Sequence, residues 1–286
     1  LPLILLLILA VIWGTSYILI KKGLVVFSPG EVAGLRVTMA GLILLPVALM
    51  KWKEIHVRHI HQLVASGMMA VFLPAFLFST AQKHIDSSLA GILNTLSPIW
   101  TVIIGALVFK VSFKRAAVIG VLVGLAGTVM LMISRSGGGI SFNLYGLLIV
   151  LACAFYGSNL NYIKFKITDL SSLAITSISV VLIAPLGALY LFGFTDFMTK
   201  MNSDPAAWKA FGFITLLAFM STAVANGIFN KLVKMTTPLF ASTVTYFIPI
   251  VSVAWGVLDG EQLHFITFIG LGAILGGVYL ANRKWD

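Results

Sequence analysis

The chain has 286 residues, of which 59% are hydrophobic and only 10% are charged. A soluble domain carries about 25% charge, so the composition excludes a water-soluble globular protein and implies an integral membrane protein crossing the bilayer many times. The formal charge of +10 does not imply nucleic acid, because the basic residues sit in short gaps between apolar runs. The one cysteine, Cys153, lies inside an apolar run, so no internal disulfide forms. The chain opens apolar at Leu1 rather than at Met, which reads as a trimmed start.

Ten runs are long enough to cross a hydrocarbon core of about 30 Å as helices of roughly 20 residues. They are Leu1–Ile20, Val32–Met50, Leu63–Ala81, Ser87–Phe109, Ala116–Ser134, Phe142–Ile163, Leu173–Phe194, Phe211–Asn230, Thr236–Leu258 and Leu263–Asn282. Only the second contains a formal charge, Arg36. The glycine-rich stretch from Ser134 to Gly139 reads as a flexible linker dividing the chain five and five. The expected units are a repeat over 1–134, a linker over 135–141 and a second repeat over 142–286.

Orientation follows from lysine and arginine. With a cytoplasmic N-terminus, twelve of the 19 basic residues fall in inner segments, six in outer loops, and Arg36 in a span. Both termini are therefore expected in the cytoplasm. His56, His59 and His61 fall in a basic loop, where a wet interface is the simpler reading than a metal site.

The halves echo each other. A shift of 151 positions superposes Pro98 on Pro249 and Ala90 on Ala241. Gly91, Asn94, Thr95 and Pro98 share one helix face by spacing, as do Ser242, Thr245, Tyr246 and Pro249. Lipid does not satisfy such a stripe, so it faces protein or a water-filled cavity. Trp13-Gly14-Thr15-Ser16-Tyr17 in run one parallels Tyr156-Gly157-Ser158-Asn159 in run six, and glycines 120, 124 and 127 parallel 270, 276 and 277. An odd number of spans per repeat inverts the second half. Inverted repeats point to a secondary transporter with its site near the midplane.

On Trp13-Gly14-Thr15-Ser16, on Asn94-Thr95-Leu96-Ser97-Pro98-Ile99, and on the five-plus-five repeat, the chain resembles the EamA-type branch of the drug/metabolite transporter superfamily. The resemblance implies an all-α integral membrane fold of ten helices in two inverted five-helix repeats around a central cavity. It also implies alternating access for small metabolites in the cytoplasmic membrane, frequently as export. Amino acids or other amphipathic solutes are the first substrates to consider. A lipid-carrier flippase is a variant of this reading. A membrane-embedded enzyme is the alternative of another class, against which no nucleophile–base spacing appears.

Candidate cavity residues follow from faces. Trp13, Ser16 and Tyr17 share one face of helix one, and Tyr156 and Asn159 share the equivalent face of helix six. An aromatic wall with hydrogen-bonding groups suits an amphipathic ligand. Phe72 and Phe76 share a face of helix three; Asn94, Thr245 and Tyr246 come from the two stripes. Asn226 either bridges to a neighbouring helix or faces substrate. Arg36 has three readings: it snorkels outward, it pairs with Glu31, Asp259 or Glu261 as an outer gate, or it binds a substrate carboxylate. Pro98 and Pro249, read as mid-helix kinks, are candidate hinges. No aspartate or glutamate lies deep in a run, which argues against a carboxylate proton relay. The expected partners are a small-molecule substrate and the bilayer, with no cofactor, metal or nucleic acid, and a monomer or weak homodimer.

Overall fold

A computed structural model describes residues 2–111, 119–120, 122–124, 126–127, 143–236, 241, 243–262 and 265–282. The linker expected over 135–141 and most of run five lie outside these. The described residues form helices joined by short turns, without a strand among them. The longer ones are α1 (Pro2–Gly23), α2 (Pro29–Lys51), α3 (Val57–Gln82), α4 (Ser87–Leu107), α5 (Gly146–Lys166), α6 (Ser172–Gly193), α7 (Pro205–Met235), α8 (Ile248–Leu258) and α9 (Phe265–Asn282). The first seven are each long and apolar enough to cross a membrane; α8 and α9 contain shorter apolar stretches. Leu3, Ile4, Leu7, Ile8 and Val11 of α1 point outward and exposed. A soluble protein would bury such a stripe; here it suits lipid.

Local chemistry sets the helix starts. Ser28 and Glu31 form a reciprocal capping box ahead of α2, and Pro29 occupies its first turn, where a missing N–H costs nothing. Ser171 caps α6 through the Ala174 amide, and Asp204 caps α7 through that of Ala206.

Two helices carry π turns, α3 at Met68–Phe72 and α7 at Ala218–Val224. One other is interrupted by a 3-10 turn, and one follows such a turn. Asn94–Leu96 breaks α4, and Thr243–Tyr246 precedes α8. This corrects the reading of Pro98 and Pro249 as mid-helix kinks. Each sits in the first turn of the helix that follows its 3-10 turn. The break relieves the steric clash and the missing hydrogen bond that an interior proline would impose.

Small residues set the helix crossings. α2 lies along α6, where a Cβ on either Gly34 or Gly187 would meet the other's carbonyl oxygen at 3.2 Å. α1 packs on α8 at Gly14, whose Cβ would stand 2.5 Å from that of Val251. α5 packs on α4 at Gly157, whose Cβ would stand 2.6 Å from the Thr101 amide nitrogen. Gly127 of run five meets α9 at Gly270 and Ala273. Such approaches are how helices associate where water is absent.

Candidate functional site

The two crossings at Gly14 and Gly157 turn the neighbouring aromatic side chains, Trp13 and Tyr156, toward one buried cavity. It holds about 1000 Å³ of space, including the part continuous with solvent. α1 contributes Trp13, Ser16 and Tyr17; α5 contributes Tyr156 and Asn159; α4 contributes Asn94 and Ser97; the turn before α8 contributes Thr245. α7 contributes Ser221, Asn226, Phe229 and Asn230, and α2 contributes Arg36.

Hydrogen bonds fix the wall. The Trp13 Nε1–H donates to the Ser221 carbonyl at 3.1 Å, and its ring meets Phe229 edge-on at 4.8 Å between centroids. The hydroxyls of Ser16 and Ser221 lie 2.5 Å apart. Ser66 donates to Asn159 Oδ1 at 2.7 Å, and Asn230 donates to Thr176 Oγ1 at 2.7 Å. Tyr17, Phe78 and Tyr156 form a run of rings, with centroids 5.8 Å and 6.0 Å apart in turn. The lining thus alternates aromatic faces with neutral amide and hydroxyl groups.

Three expected residues are absent from this lining. Phe72 and Phe76 pack on each other at 5.0 Å, and Phe76 meets Tyr190 of α6 edge-on at 5.1 Å. Their face therefore turns to α6. Phe78 takes the place instead, and the π turn explains it. Eleven residues make about three α-helical turns. The π turn inserts one more, so Phe78, twelve after Ser66, shares its face. Tyr246 packs half-buried against the core that includes Ile99 and Ile248.

Ser66, Phe78, Thr176, Ser179 and Ser221 line the cavity but do not emerge from the sequence motifs. For the four that carry a hydroxyl, the available signal is that hydroxyl at depth in an apolar run. It is a weak one, because serine and threonine in helices also bond their own preceding turn, as Thr176 and Ser179 do here.

Arg36 does not pair with the acidic residues expected of an outer gate. Its Nε donates to Thr222 Oγ1 at 3.1 Å. Glu31 is bound by Lys200 at 2.5 Å. Lys21 reaches Asp259 at 2.7 Å and Glu261 at 2.9 Å, and Lys22 also pairs with Asp259. Glu261 further accepts from the Ser87 and Ser88 amides, each at 3.0 Å, and from the Ser87 hydroxyl at 2.6 Å. One carboxylate thus ties the end of α1 to the start of α4 and the turn after α8. The Lys21 and Lys22 bonds hold the Asp259 carboxyl below its ordinary value. At Glu261 burial pushes upward, but the bonds from Lys21, Ser87 and Ser88 outweigh it and hold the carboxyl at about 2. A depressed carboxyl contributes in full above its free value, so the Glu261 share of this cluster is intact at neutral pH and is lost progressively as pH falls from about 4.5 through about 2.

His59 is buried and sits 3.0 Å from Asp169, which Arg58 also binds at 2.8 Å. Among the described residues no group of histidine, cysteine and carboxylate has the makings of a metal site.

The chain is 25% identical over 277 residues to the "Uncharacterized inner membrane transporter YedA" of Escherichia coli strain K12, covering 96% of this chain and 88% of that protein. It is 25% identical over 290 residues to an E. coli K12 protein named "Probable amino-acid metabolite efflux pump", covering 97% and 93%. An "Uncharacterized transporter" of Archaeoglobus fulgidus is also 25% identical, over 278 residues, covering 95% of each. A solved crystal structure shares the fold, with a TM-score of 0.65 at 20% identity, covering 97% of this chain and 95% of that one. Residues 1–133 and 143–283 match the EamA-like transporter family, and the chain, matched through nearly all its length, belongs to that family.

Proposed function

We propose that the protein is a secondary transporter that exports a small amphipathic solute across the cytoplasmic membrane by alternating access. The observation that carries this reading is the buried cavity, walled by aromatic rings, neutral polar groups and Arg36 from α1–α7 and the turn before α8, in a chain of a transporter family. Aromatic faces hold an apolar moiety while hydroxyl and amide groups orient polar ends. The relative named as an amino-acid metabolite efflux pump makes amino acids and their derivatives the first solutes to screen.

The chain in this reading makes ten spans in two inverted repeats, 1–134 and 142–286. Supporting it, the π turns at Met68–Phe72 and Ala218–Val224 fall in corresponding helices, as do the 3-10 turns before Pro98 and Pro249. The crossings correspond too: Gly14 of α1 meets α8, and Gly157 of α5 meets α4. The family match in two segments fits the same division. The Lys21–Lys22–Asp259–Glu261 cluster then acts as the outer closure, broken when the cavity opens to that side.

Purified protein in liposomes is expected to exchange at least one labelled solute of such a panel without ATP. Flux that requires ATP, or that ignores substitution of both Trp13 and Asn159, would overturn the reading. The orientation has its own test. Cys153 is buried and silent, so a cysteine introduced at Gly138 reports alone. It is expected to react with an impermeant thiol reagent on intact cells; labelling only after lysis would reverse the assigned topology.

A further inference from the structure

The cavity's charge is unbalanced in a way that selects its ligand. Among the described residues Arg36 is its one permanent charge, and only 9% of Arg36 is exposed. None of the described residues that line it is an aspartate or glutamate. Among the described residues no carboxylate pairs with Arg36, and its single hydrogen bond engages Nε. The nearest candidates along the helix ends, Glu31, Asp259 and Glu261, are each taken by a lysine. A buried guanidinium without a counter-ion is costly, and evolution of a merely structural contact to Thr222 does not require a charge.

We infer that the cavity takes an amphipathic organic monoanion, a solute with one carboxylate and no balancing ammonium, and that Arg36 grips the carboxylate. This rests on reading the cavity as the transport site. With Nε held by Thr222, the terminal nitrogens of the planar fork match the two oxygens of a carboxylate. The ligand's charge supplies what the cavity lacks. A zwitterion would bring the same carboxylate but also an ammonium, which would lose its water to find only neutral oxygens and ring faces. A cation would face Arg36 directly. The rings of Trp13, Tyr17 and Tyr156 take the apolar part.

Three probes sharing a phenyl ring separate the cases: 3-phenylpropionate, phenylalanine and 2-phenylethylamine. Binding to the purified full chain in nanodiscs is measured by isothermal titration. The expected order is 3-phenylpropionate tightest, phenylalanine at least about tenfold weaker, and the amine without binding. Arg36→Gln is expected to remove at least about tenfold of the anion's affinity and with it the preference. Arg36→Lys keeps the charge without the fork, and is expected to recover only part. Equal or tighter binding of phenylalanine or the amine overturns the inference, as does an anion preference that survives Arg36→Gln. The wild-type ranking decides even if the Arg36 variants fail to fold. Binding by none of the probes also overturns it. Liposome flux of some other solute, sensitive to Trp13, would in that case leave the transport reading standing.

Discussion

Trp13→Ala is expected to weaken binding of the transported solute about 10- to 100-fold while the protein stays monodisperse in detergent. The indole does two things at once. Its N–H holds the Ser221 carbonyl at 3.1 Å, inside the π turn of α7, and its ring braces Phe229 at 4.8 Å. Removing the donor leaves a buried acceptor without a partner, at about 1–3 kcal/mol. Losing an edge-to-face pair costs about 0.5–1.5 kcal/mol more. Not all of that falls on the ligand, and about 1.4–2.8 kcal/mol corresponds to the stated range. The protein survives because Trp13 is only half-buried, while the α1–α8 crossing depends on Gly14 beside it. Trp13→Phe keeps the wall without the N–H and is expected to fall between. Wild-type affinity in a monodisperse Trp13→Ala protein would remove this face from the binding site.

Gly157→Val is expected to destabilise the protein by about 1–3 kcal/mol, the usual range for overpacking a tight contact, and to abolish transport. A Cβ at Gly157 would lie 2.6 Å from the Thr101 nitrogen and 2.7 Å from the Trp100 carbonyl carbon. Both are backbone atoms, so no rotamer change relieves the clash, and α5 must move off α4. One turn on, Asn161 donates to the Thr101 carbonyl at 2.8 Å, and the same movement breaks that bond. Tyr156 and Asn159 flank the glycine and move with it, which distorts the cavity. Gly272→Ala is the control, since a Cβ there meets nothing within 4 Å. A thermal midpoint for Gly157→Val equal to that of Gly272→Ala would show that the crossing tolerates separation.

Much of this protein is set by its sequence. Lipid forces each crossing segment to be helical and apolar over a fixed length, so seven long spans are legible from hydropathy before any packing is known. The motifs around Trp13 and Tyr156 are legible for a similar reason. A glycine marks a close crossing, and the polar residues beside it have no place in lipid.

Tertiary structure decided the rotation of each helix and the partner of each polar group. Phe72 and Phe76 were reasonable by period, yet the π turn and the packing on α6 turned them aside and brought Phe78 in. Pro98 and Pro249 looked like interior kinks because a 3-10 turn leaves no mark in hydropathy. Arg36 found Thr222, 186 positions away, while the carboxylates near its own helix end went to lysines. Periodicity reports only what neighbours along one helix share. Which face meets which depends on contacts between segments far apart in the chain, and those exist only once the bundle is packed.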